Sequence, residues 1–247
     1  MKFVYIILFF SISFSQECTF AGDSNIDDIV NIIDIIDSIN CILDNEYYEC
    51  SDTNRDQIVD IVDIVLIIDI ILSNILIEQF EEENLGYSYL CYPNVDSQFP
   101  IVLYNHGGLG NSVGGDLFNT CKSLAEIGYL TKAEKRQETI TLDGHLEEVV
   151  FALNNLKNHE KADSSRIGIV GFSRGGLLSL QVGIIDDDVT ALALLAPATG
   201  NGLINELYDS FNLINSSVLI QISENDASPD NLVNISYDIY NLMLQYS

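Results

Sequence analysis

The stretch Gly171-Phe172-Ser173-Arg174-Gly175-Gly176 decides how most of this chain folds. It follows the apolar run 166–170, which is typical of a buried strand, and it precedes residues 177–182, which continue as a helix. A serine between a strand and a helix, with a glycine two residues to either side, is the pattern of a nucleophile elbow. The glycines let backbone and helix approach closely around the strained serine. We predict that Ser173 is a nucleophile, with an ordinary Gly-Ser turn as the alternative.

The composition limits the class of protein and its partners. The chain has 247 residues, 47% of them apolar, which is enough for a substantial core in one large or two modest domains. Its net charge of −27 excludes nucleic acid as a natural partner. Residues 16–85 carry 18 acidic side chains and a single arginine. This concentration of carboxylates indicates cation binding in the first third of the chain.

The first residues have the features of a targeting segment. Lys2 precedes an apolar run over 3–10, and the small residues Ser13 and Ser15 follow it. This predicts a secretory signal peptide at 1–15, cleaved after Ser15, and hence a secreted protein. A membrane anchor is the alternative, but the run is too short to span a bilayer comfortably. We expect no membrane-spanning segment after cleavage.

Five cysteines accompany this expected export, which makes disulfides possible. Three lie in the acidic third and two in the remainder, so one is left over unless a bond crosses between domains or chains. A Cys91–Cys121 bond and a bond within the acidic third are the pairings we consider. The sequence alone does not determine the connectivity.

The acidic third contains an internal repeat. The segment 23–34 reappears 29 residues later as 52–63. Oxygen-bearing side chains recur at positions 1, 3, 5, 9 and 12 of each copy, with an apolar residue at position 7. This is the spacing of an EF-hand loop, in which position 7 offers its backbone carbonyl to Ca²⁺. Each loop is followed by a predicted helix, over 32–43 and 61–77.

Two such loops, each with Asp at position 12 and one helix after it, resemble a type I dockerin over about residues 18–77. The resemblance implies a small all-α module with two Ca²⁺ sites that binds a cohesin domain and attaches secreted enzymes to a scaffold. It places the calcium ligands at Asp23, Asn25, Asp27, Ile29, Asn31, Asp34, Asp52, Asn54, Asp56, Ile58, Asp60 and Asp63.

Two departures from the pattern change what we expect of this module. Position 6, where an EF-hand loop has glycine for its sharp turn, is Asp28 in one copy and Gln57 in the other. Because Asp adopts a left-handed backbone more readily than Gln, we expect weaker binding in the second loop. Positions 10 and 11 are apolar in both copies, where many dockerins carry the small hydroxyl residues that contact cohesin. The alternatives are an acidic, solvated repeat without metal, and a calcium module that only spaces or packs against the enzyme.

After residue 85 the pattern changes to alternating strands and helices. The polar segment 78–85 is predicted as a linker. Beyond it the order of elements predicts an α/β domain with a mainly parallel sheet. Predicted strands cover 87–92, 100–104, 129–132, 189–195 and 217–223, besides the strand before Ser173. Predicted helices cover 113–127, 146–156 and 231–244, besides the helix after Ser173.

Two further motifs accompany the predicted elbow. His106-Gly107-Gly108 follows a strand directly, and Asp226 follows the strand at 217–223. With Ser173 they resemble the dienelactone-hydrolase-like and prolyl-oligopeptidase-like branch of the α/β-hydrolases, over residues 86–247. The resemblance implies an oxyanion hole made by the N–H groups of Gly108 and Arg174, and Asp226 as the acid that orients the base. Glu224 is the fallback acid, and a tight turn and a loop acid are the structural alternatives.

The base of this triad is missing from its usual place. In the family a histidine lies a few tens of residues past the acid, but only 21 residues follow Asp226 and none is histidine. His106 lies in the oxyanion loop, and we expect His145 and His159 to be exposed or capping residues at the ends of a helix. We therefore expect residues 86–247 to lack the last strand and the histidine loop.

These patterns predict a secreted carboxylesterase-like serine hydrolase joined to a dockerin-like calcium module, with no cofactor for catalysis. Its expected substrate is an ester, by association an acetyl or feruloyl group on a polysaccharide. A calcium-dependent binding or adhesion protein with an inactive hydrolase domain is the first alternative. A secreted serine peptidase is the second.

Overall fold

A computed structural model describes residues 18–82, 86–108, 114–137, 141–226, 228 and 231–246. The predicted signal peptide lies outside these residues, as do residues 83–85 of the predicted linker.

A single sheet of seven strands organises the described part of the chain. From one edge to the other its order is β1-β2-β4-β3-β5-β6-β7. The first two strands are antiparallel to their neighbours, and β4, β3, β5, β6 and β7 run parallel to one another. The strands are β1 Ile75–Glu82, β2 Gly86–Pro93, β3 Phe99–Asn105, β4 Leu130–Glu134, β5 Ala162–Phe172, β6 Val189–Leu195 and β7 Ser217–Gln221.

Helices precede the sheet and cover it. They are α1 Ile32–Asp44, α2 Ile61–Ser73, α3 Leu117–Glu126, α4 His145–Lys157, α5 Arg174–Ile185, α6 Leu203–Leu207 and α7 Leu232–Tyr246. Two 3₁₀ segments cover Glu49–Ser51 and Tyr208–Leu213. In the described part of the chain, every helix lacks the length and apolar character needed to span a bilayer.

Alternation along the central strands builds a core on each side of the sheet. Ile101 and Leu103 of β3 face one side, where they pack with Leu177 and Leu178 of α5 in the larger core. Tyr104 faces the other side and packs with α3 in the smaller core. Because both faces of a mostly parallel sheet need cover, helices lie on both sides. The carboxyl ends of β3 and β5 thereby meet at one edge, beside the start of α5.

The predicted linker is partly wrong, because its first residues form a strand. We expected α2 to continue to residue 77 and a linker to follow. Instead α2 ends at Ser73, Asn74 takes a left-handed conformation (φ 55°) and β1 begins at once. Only Ser73 and Asn74 interrupt the apolar residues of α2 and β1, and so short a break did not separate the two elements in the sequence. Residues 19–21 pair with the outer edge of β1, as in the hydrogen bond from Ala21 N–H to Ile77 O (3.0 Å).

Two disulfides have the pattern that we considered. Cys18 bonds to Cys50 within the acidic third, and Cys91 of β2 bonds to Cys121 of α3. Cys41 carries a free thiol. The first bond holds the segment that covers the edge of β1, and the second holds α3 on the sheet.

Candidate active site and calcium loops

Ser173 occupies a strained turn between β5 and α5. Its backbone angles are φ 52° and ψ −117°, a region that residues with a side chain rarely adopt. Neighbouring chain holds this conformation, since Ser173 N–H donates to Leu195 O (2.8 Å) and Ala198 N–H donates to Ser173 O (2.9 Å). The structure therefore places Ser173 at the carboxyl edge of the sheet in the geometry of the predicted elbow.

The flanking glycines are required by close packing. A Cβ at Gly171 would lie 2.3 Å from Ser179 Oγ. A Cβ at Gly175 would lie 1.9 Å from Asn105 O, so the start of α5 approaches the end of β3 at backbone contact. Asn105 Nδ2 donates to Ser179 Oγ (2.9 Å), which joins the same two elements. The two glycines of the pattern thus mark a tight contact between β3, β5 and α5.

The loop after β3 lies directly against Ser173. A Cβ at Gly107 would be 3.0 Å from Ser173 Cβ, and Gly107 exchanges two backbone hydrogen bonds with Gly114 (3.0 and 2.9 Å). Gly108 follows with φ 99°, a conformation that favours glycine. The N–H of Arg174 belongs to the first turn of α5, where N–H groups have no acceptor within their own helix. Arg174 follows Ser173 directly, and Gly108 follows the glycine that contacts Ser173; the roles of Gly108 and Arg174 as oxyanion donors stay predictions.

His106 has a structural role in this loop. Its Nε2 accepts the backbone N–H of Arg136 (3.1 Å), so Nδ1 carries the proton and donates to Gly107 O (2.6 Å). Burial lowers the pKa of His106 to about 3, with the charge of Arg136 as the next cause. Both ring nitrogens are engaged and the ring stays neutral near pH 7.

Arg136 holds the loop and was not predicted from the sequence. It follows β4, is 4% exposed, and its Nη2 donates to His106 O. Burial lowers its pKa to about 10, and the charge of Arg174 adds to the effect. Arg136 lies in a polar segment without periodicity, so only its position in space marks it.

The expectation for His145 is wrong. His145 is 3% exposed at the start of α4, whereas an exposed or capping residue was predicted. Burial lowers its pKa to about 4, with further contributions from Arg136 and Arg174. The guanidinium of Arg174 in turn donates to Thr141 O (3.2 Å). His145 is therefore buried near two cationic side chains from other segments, and a pattern of residues along one helix does not reveal this.

His159 lies away from the candidate site. It closes the turn between α4 and β5, at the edge of the sheet opposite Ser173. Its Nδ1 accepts the N–H of Lys161 (3.2 Å), and its ring lies 5.5 Å from that of Tyr92. This half-buried position agrees with a residue at a helix end.

Asp226 lies beyond the carboxyl end of β7, as Ser173 lies beyond the carboxyl end of β5, so both are at the same end of the parallel strands. Asp226 is half-buried, and its Oδ1 accepts the N–H of Ser228 (2.9 Å). Glu224 is exposed. In the described part of the chain, no hydrogen bond joins a histidine to Ser173 or to Asp226. The predicted nucleophile and the predicted acid thus lie at the same end of the parallel strands, and within the described residues no histidine is hydrogen-bonded between them.

The first predicted calcium loop folds around its carboxylates. Asp23 is 1% exposed and accepts the N–H groups of Asp27 (3.1 Å) and Asp28 (2.9 Å). Asp34, at position 12, accepts the N–H groups of Asn25 (3.3 Å) and Asn31 (2.7 Å). The chain therefore closes into a loop whose first and last positions point inwards.

The second loop repeats this arrangement. Asp52 accepts the N–H groups of Asp56 (3.2 Å) and Gln57 (2.8 Å), and Asp63 accepts that of Asn54 (3.2 Å). Position 6 is left-handed in both copies although neither has glycine, with φ 64° at Asp28 and 71° at Gln57. The sharp turn that an EF-hand loop needs is therefore present, at the cost of backbone strain.

The electrostatics of the loops are those of crowded acids. Burial raises the pKa of Asp23, and the charges of Asp34 and Asp27 raise it further. Burial likewise raises the pKa of Asp63. Among the described residues, no three Asp, Glu, His or Cys side chains are grouped so that they alone would hold a metal ion. The predicted ligand set mixes carboxylates with amide and carbonyl oxygens, which suit a hard cation such as Ca²⁺.

Comparisons with known proteins support the fold. No protein-family model matches the chain, and no curated protein matches it in sequence. The structure is similar to that of esterase Est22, with a TM-score of 0.52 and 20% identity over 70% of this chain and 69% of that chain. It is also similar to an acylaminoacyl peptidase from Pyrococcus horikoshii, with a TM-score of 0.52 and 14% identity over 69% of this chain and 35% of that chain.

At these identities the likeness concerns the fold alone. The seven-stranded mixed sheet, the helices on both faces and the position of the elbow agree with the expectation from the sequence. From β1 onwards, the chain adopts the α/β-hydrolase fold.

Proposed function

We propose that this protein is a secreted serine hydrolase that cleaves carboxylic esters through an acyl-serine intermediate. The observation that carries the proposal is the strained turn at Ser173, packed against the loop of Gly107 and Gly108. Strain of this kind persists where surrounding structure holds it, and it is frequent at reactive residues. An esterase among the similar structures is consistent with the same class of reaction.

In the proposed reaction, Ser173 Oγ attacks the ester carbonyl. The N–H groups of Gly108 and Arg174 stabilise the oxyanion that forms, and removing one such donor typically costs about 2.7–4 kcal/mol. Expulsion of the alcohol leaves an acyl group on Ser173, which water then hydrolyses. Asp226 would orient the imidazole that takes the proton from Ser173. None of the histidines within the described residues is assigned this role, because none bonds to Ser173.

The substrate class follows from the proposed attachment module. The acidic third is proposed to bind a scaffold that gathers secreted enzymes. The ester is then expected on the same polymer that those enzymes degrade. We place it among acyl groups on polysaccharide, such as acetyl or feruloyl. This substrate class is supported by the resemblance of the two loops to a dockerin. It is not argued from residues of the hydrolase domain.

Labelling with a fluorophosphonate tests the nucleophile. The proposal requires covalent labelling that is lost in Ser173→Ala, and turnover of an aryl acetate that falls by orders of magnitude in the same variant. Labelling of the present chain would also mean that one of its own histidines activates Ser173, against the expectation that the base is missing. Ser165→Ala is the matched control, because Ser165 is exposed in the same strand. An acylaminoacyl anilide assayed beside the acetate distinguishes the peptidase. Equal labelling of both variants would contradict the role of Ser173.

We also propose that the two loops bind Ca²⁺. The fit rests on inward-pointing oxygens at positions 1 and 12, on the left-handed turn at position 6, and on buried acids that a cation would neutralise. Asn31 and Asp60 at position 9 cap the helices that follow, so each loop leads into its helix without a break. The bound cation would offset the repulsion among carboxylates of the same loop.

Calorimetric titration with Ca²⁺ gives the expected stoichiometry. We expect two sites in the chain, one site after Asp23→Ala and one after Asp52→Ala, because each change removes the ligand at position 1. Asp44→Ala removes the same charge outside both loops and should leave two sites. The site that remains in Asp23→Ala should be the weaker one, since Gln57 is strained. Two sites in every variant would refute the assignment of ligands.

The partner proposed for this module is a cohesin-bearing scaffold protein. Matching positions of α1 and α2 are apolar and exposed, as at Ile32 (69%) and its counterpart Ile61 (65%). Such surfaces mark interaction sites in soluble proteins. Apolar residues at these positions mean that the cohesin surface would itself be apolar.

A binding protein with an inert hydrolase domain is the second candidate. The observation that favours it is that Ser173 has no hydrogen bond to a histidine in the described part of the chain. It predicts no fluorophosphonate labelling, together with calcium-dependent binding of a partner. Labelling that depends on Ser173 would exclude it.

A further inference from the structure

We propose that Ca²⁺ in the second loop stabilises the β1–β2 edge of the sheet, and that Arg55 transmits this effect to β2. This inference rests on the calcium binding proposed above. The resemblance to a separate module on a linker predicts no such effect. The geometry instead joins loop, helix and sheet.

Arg55 connects the second loop to the sheet. It occupies position 4 of the loop with φ 60°, and its guanidinium lies over the ring of Tyr87 in β2, 4.4 Å from the ring centre. Its Nη1 donates to Glu49 O (2.9 Å), and Tyr87 O–H donates to Glu49 Oε1 (2.9 Å). A cation over an aromatic face is favourable, most of all when it is shielded from water. Arg55 therefore contacts β2 from inside the loop.

The direction of the Arg55 side chain depends on the shape of the loop. Arg55 lies between two proposed ligands, Asn54 and Asp56, so the backbone that places it is the backbone that closes around the cation. Asp52 is 1% exposed, and its Oδ2 also accepts Tyr47 O–H (3.0 Å). Beside this contact, Asp52 and Arg55 of the loop and Glu81 and Tyr87 of the first two strands line a common cavity of about 530 Å³. Ordering the loop thus orders the contact with β2.

The helix after the loop provides a second connection. Ile67 and Ile70 of α2 are buried, and Ile70 packs in the core that contains Ile75 and Ile77 of β1. Only Asn74 lies between α2 and β1. On the outer face, Asp69 of α2 pairs with Lys122 of α3 (2.8 Å). Loop, α2 and the first strands therefore form one packed unit.

Hydrogen exchange measured by mass spectrometry tests the inference on the whole chain. Exchange is compared between a sample with Ca²⁺ at about 100 times its dissociation constant and a sample with chelator. Amides of β2 that exchange only when the loop opens should exchange up to about 100-fold more slowly with Ca²⁺. The peptide over β7, at the opposite edge of the sheet, should change little and serves as the internal control.

Arg55→Ala separates binding from transmission. Arg55 is not a proposed ligand. Alanine has a Cβ as arginine does, so the cost of the left-handed backbone at this position stays similar. Calorimetry should therefore still find Ca²⁺ bound in the second loop. Ca²⁺ should nevertheless slow exchange in β2 much less than in the unmodified chain. We expect the logarithm of the slowing factor to fall to less than half. Tyr87→Phe keeps the ring but removes the O–H bond to Glu49, and should give an intermediate effect. Unchanged exchange in β7 shows that each variant is folded.

Three results would overturn the inference. If the unmodified chain binds no Ca²⁺ in the second loop, this inference and the proposed calcium function both fail. If Ca²⁺ binds and exchange in β2 does not change, only this inference fails. If Arg55→Ala shows the full effect on β2, Arg55 does not transmit it.

Discussion

Replacing Gly175 with alanine is expected to destabilise the fold by about 3 kcal/mol or more, at the upper end for overpacking. The added Cβ would lie 1.9 Å from Asn105 O and 2.5 Å from Asn105 C. Both are backbone atoms at the end of β3, so no rotation of a side chain can relieve the clash. Either α5 or the end of β3 must move, and each of them positions a part of the candidate site.

Urea unfolding of the purified variant measures this loss. Gly168→Ala is the matched control, because Gly168 lies in the strand that leads to the elbow and a Cβ there would meet its nearest atoms at 3.7 Å. We expect its free energy of unfolding to change by less than about 1 kcal/mol, since no clash or strain is introduced. Similar midpoints for the two variants would mean that the elbow is not packed as described.

Acid is expected to destabilise the protein well above the pH at which most carboxylates titrate. His106 and His145 are buried and neutral, with pKa values of about 3 and about 4. In the unfolded chain a histidine takes up its proton near pH 6.5. The unfolded state therefore binds more protons below pH 6.5, and stability is lost as the pH falls from there towards the folded pKa values. Each histidine contributes about 1.4 kcal/mol per pH unit in this window.

The free energy of unfolding measured in urea at intervals between pH 7 and pH 5 tests this expectation. The two histidines together predict a loss of about 4 kcal/mol by pH 5. His106→Asn should be less stable at pH 7 but should lose about half of the slope, because an amide does not titrate in this range. Burial raises the pKa values of Asp23 and Asp63, so protonation of these two acids favours the folded state as the pH falls and opposes the loss caused by the histidines. A slope unchanged in His106→Asn would contradict the assignment.

Much of the α/β part was predictable from local patterns. The strand over 189–195 has the predicted bounds, and the helix predicted over 146–156 is His145–Lys157. Short apolar runs between polar turns are sufficient for this, because the strands of a parallel sheet are buried on both faces. The helix predicted over 113–127 is shorter, Leu117–Glu126, since Asp116 caps its start.

The candidate site was predictable only where a motif reports backbone packing. Ser173, Gly107 and Gly108 come together as the glycine patterns predict. Arg136 was missed because a single arginine in a polar segment carries no periodic signal. The burial of His145 was missed for the related reason that the cationic side chains near it, Arg136 and Arg174, come from two other segments of the chain.

The sequence by itself determined the alternation of strands and helices, the strained turn at Ser173 and the two acidic loops. Each of these is marked in the sequence by residues within about a dozen positions of one another, through backbone preference and periodic burial. Only the tertiary structure decided that residues 75–82 form a strand, that Arg136 holds His106, and that Arg55 reaches Tyr87. These contacts join segments that are distant in the chain, and their energy depends on what each side chain meets after folding.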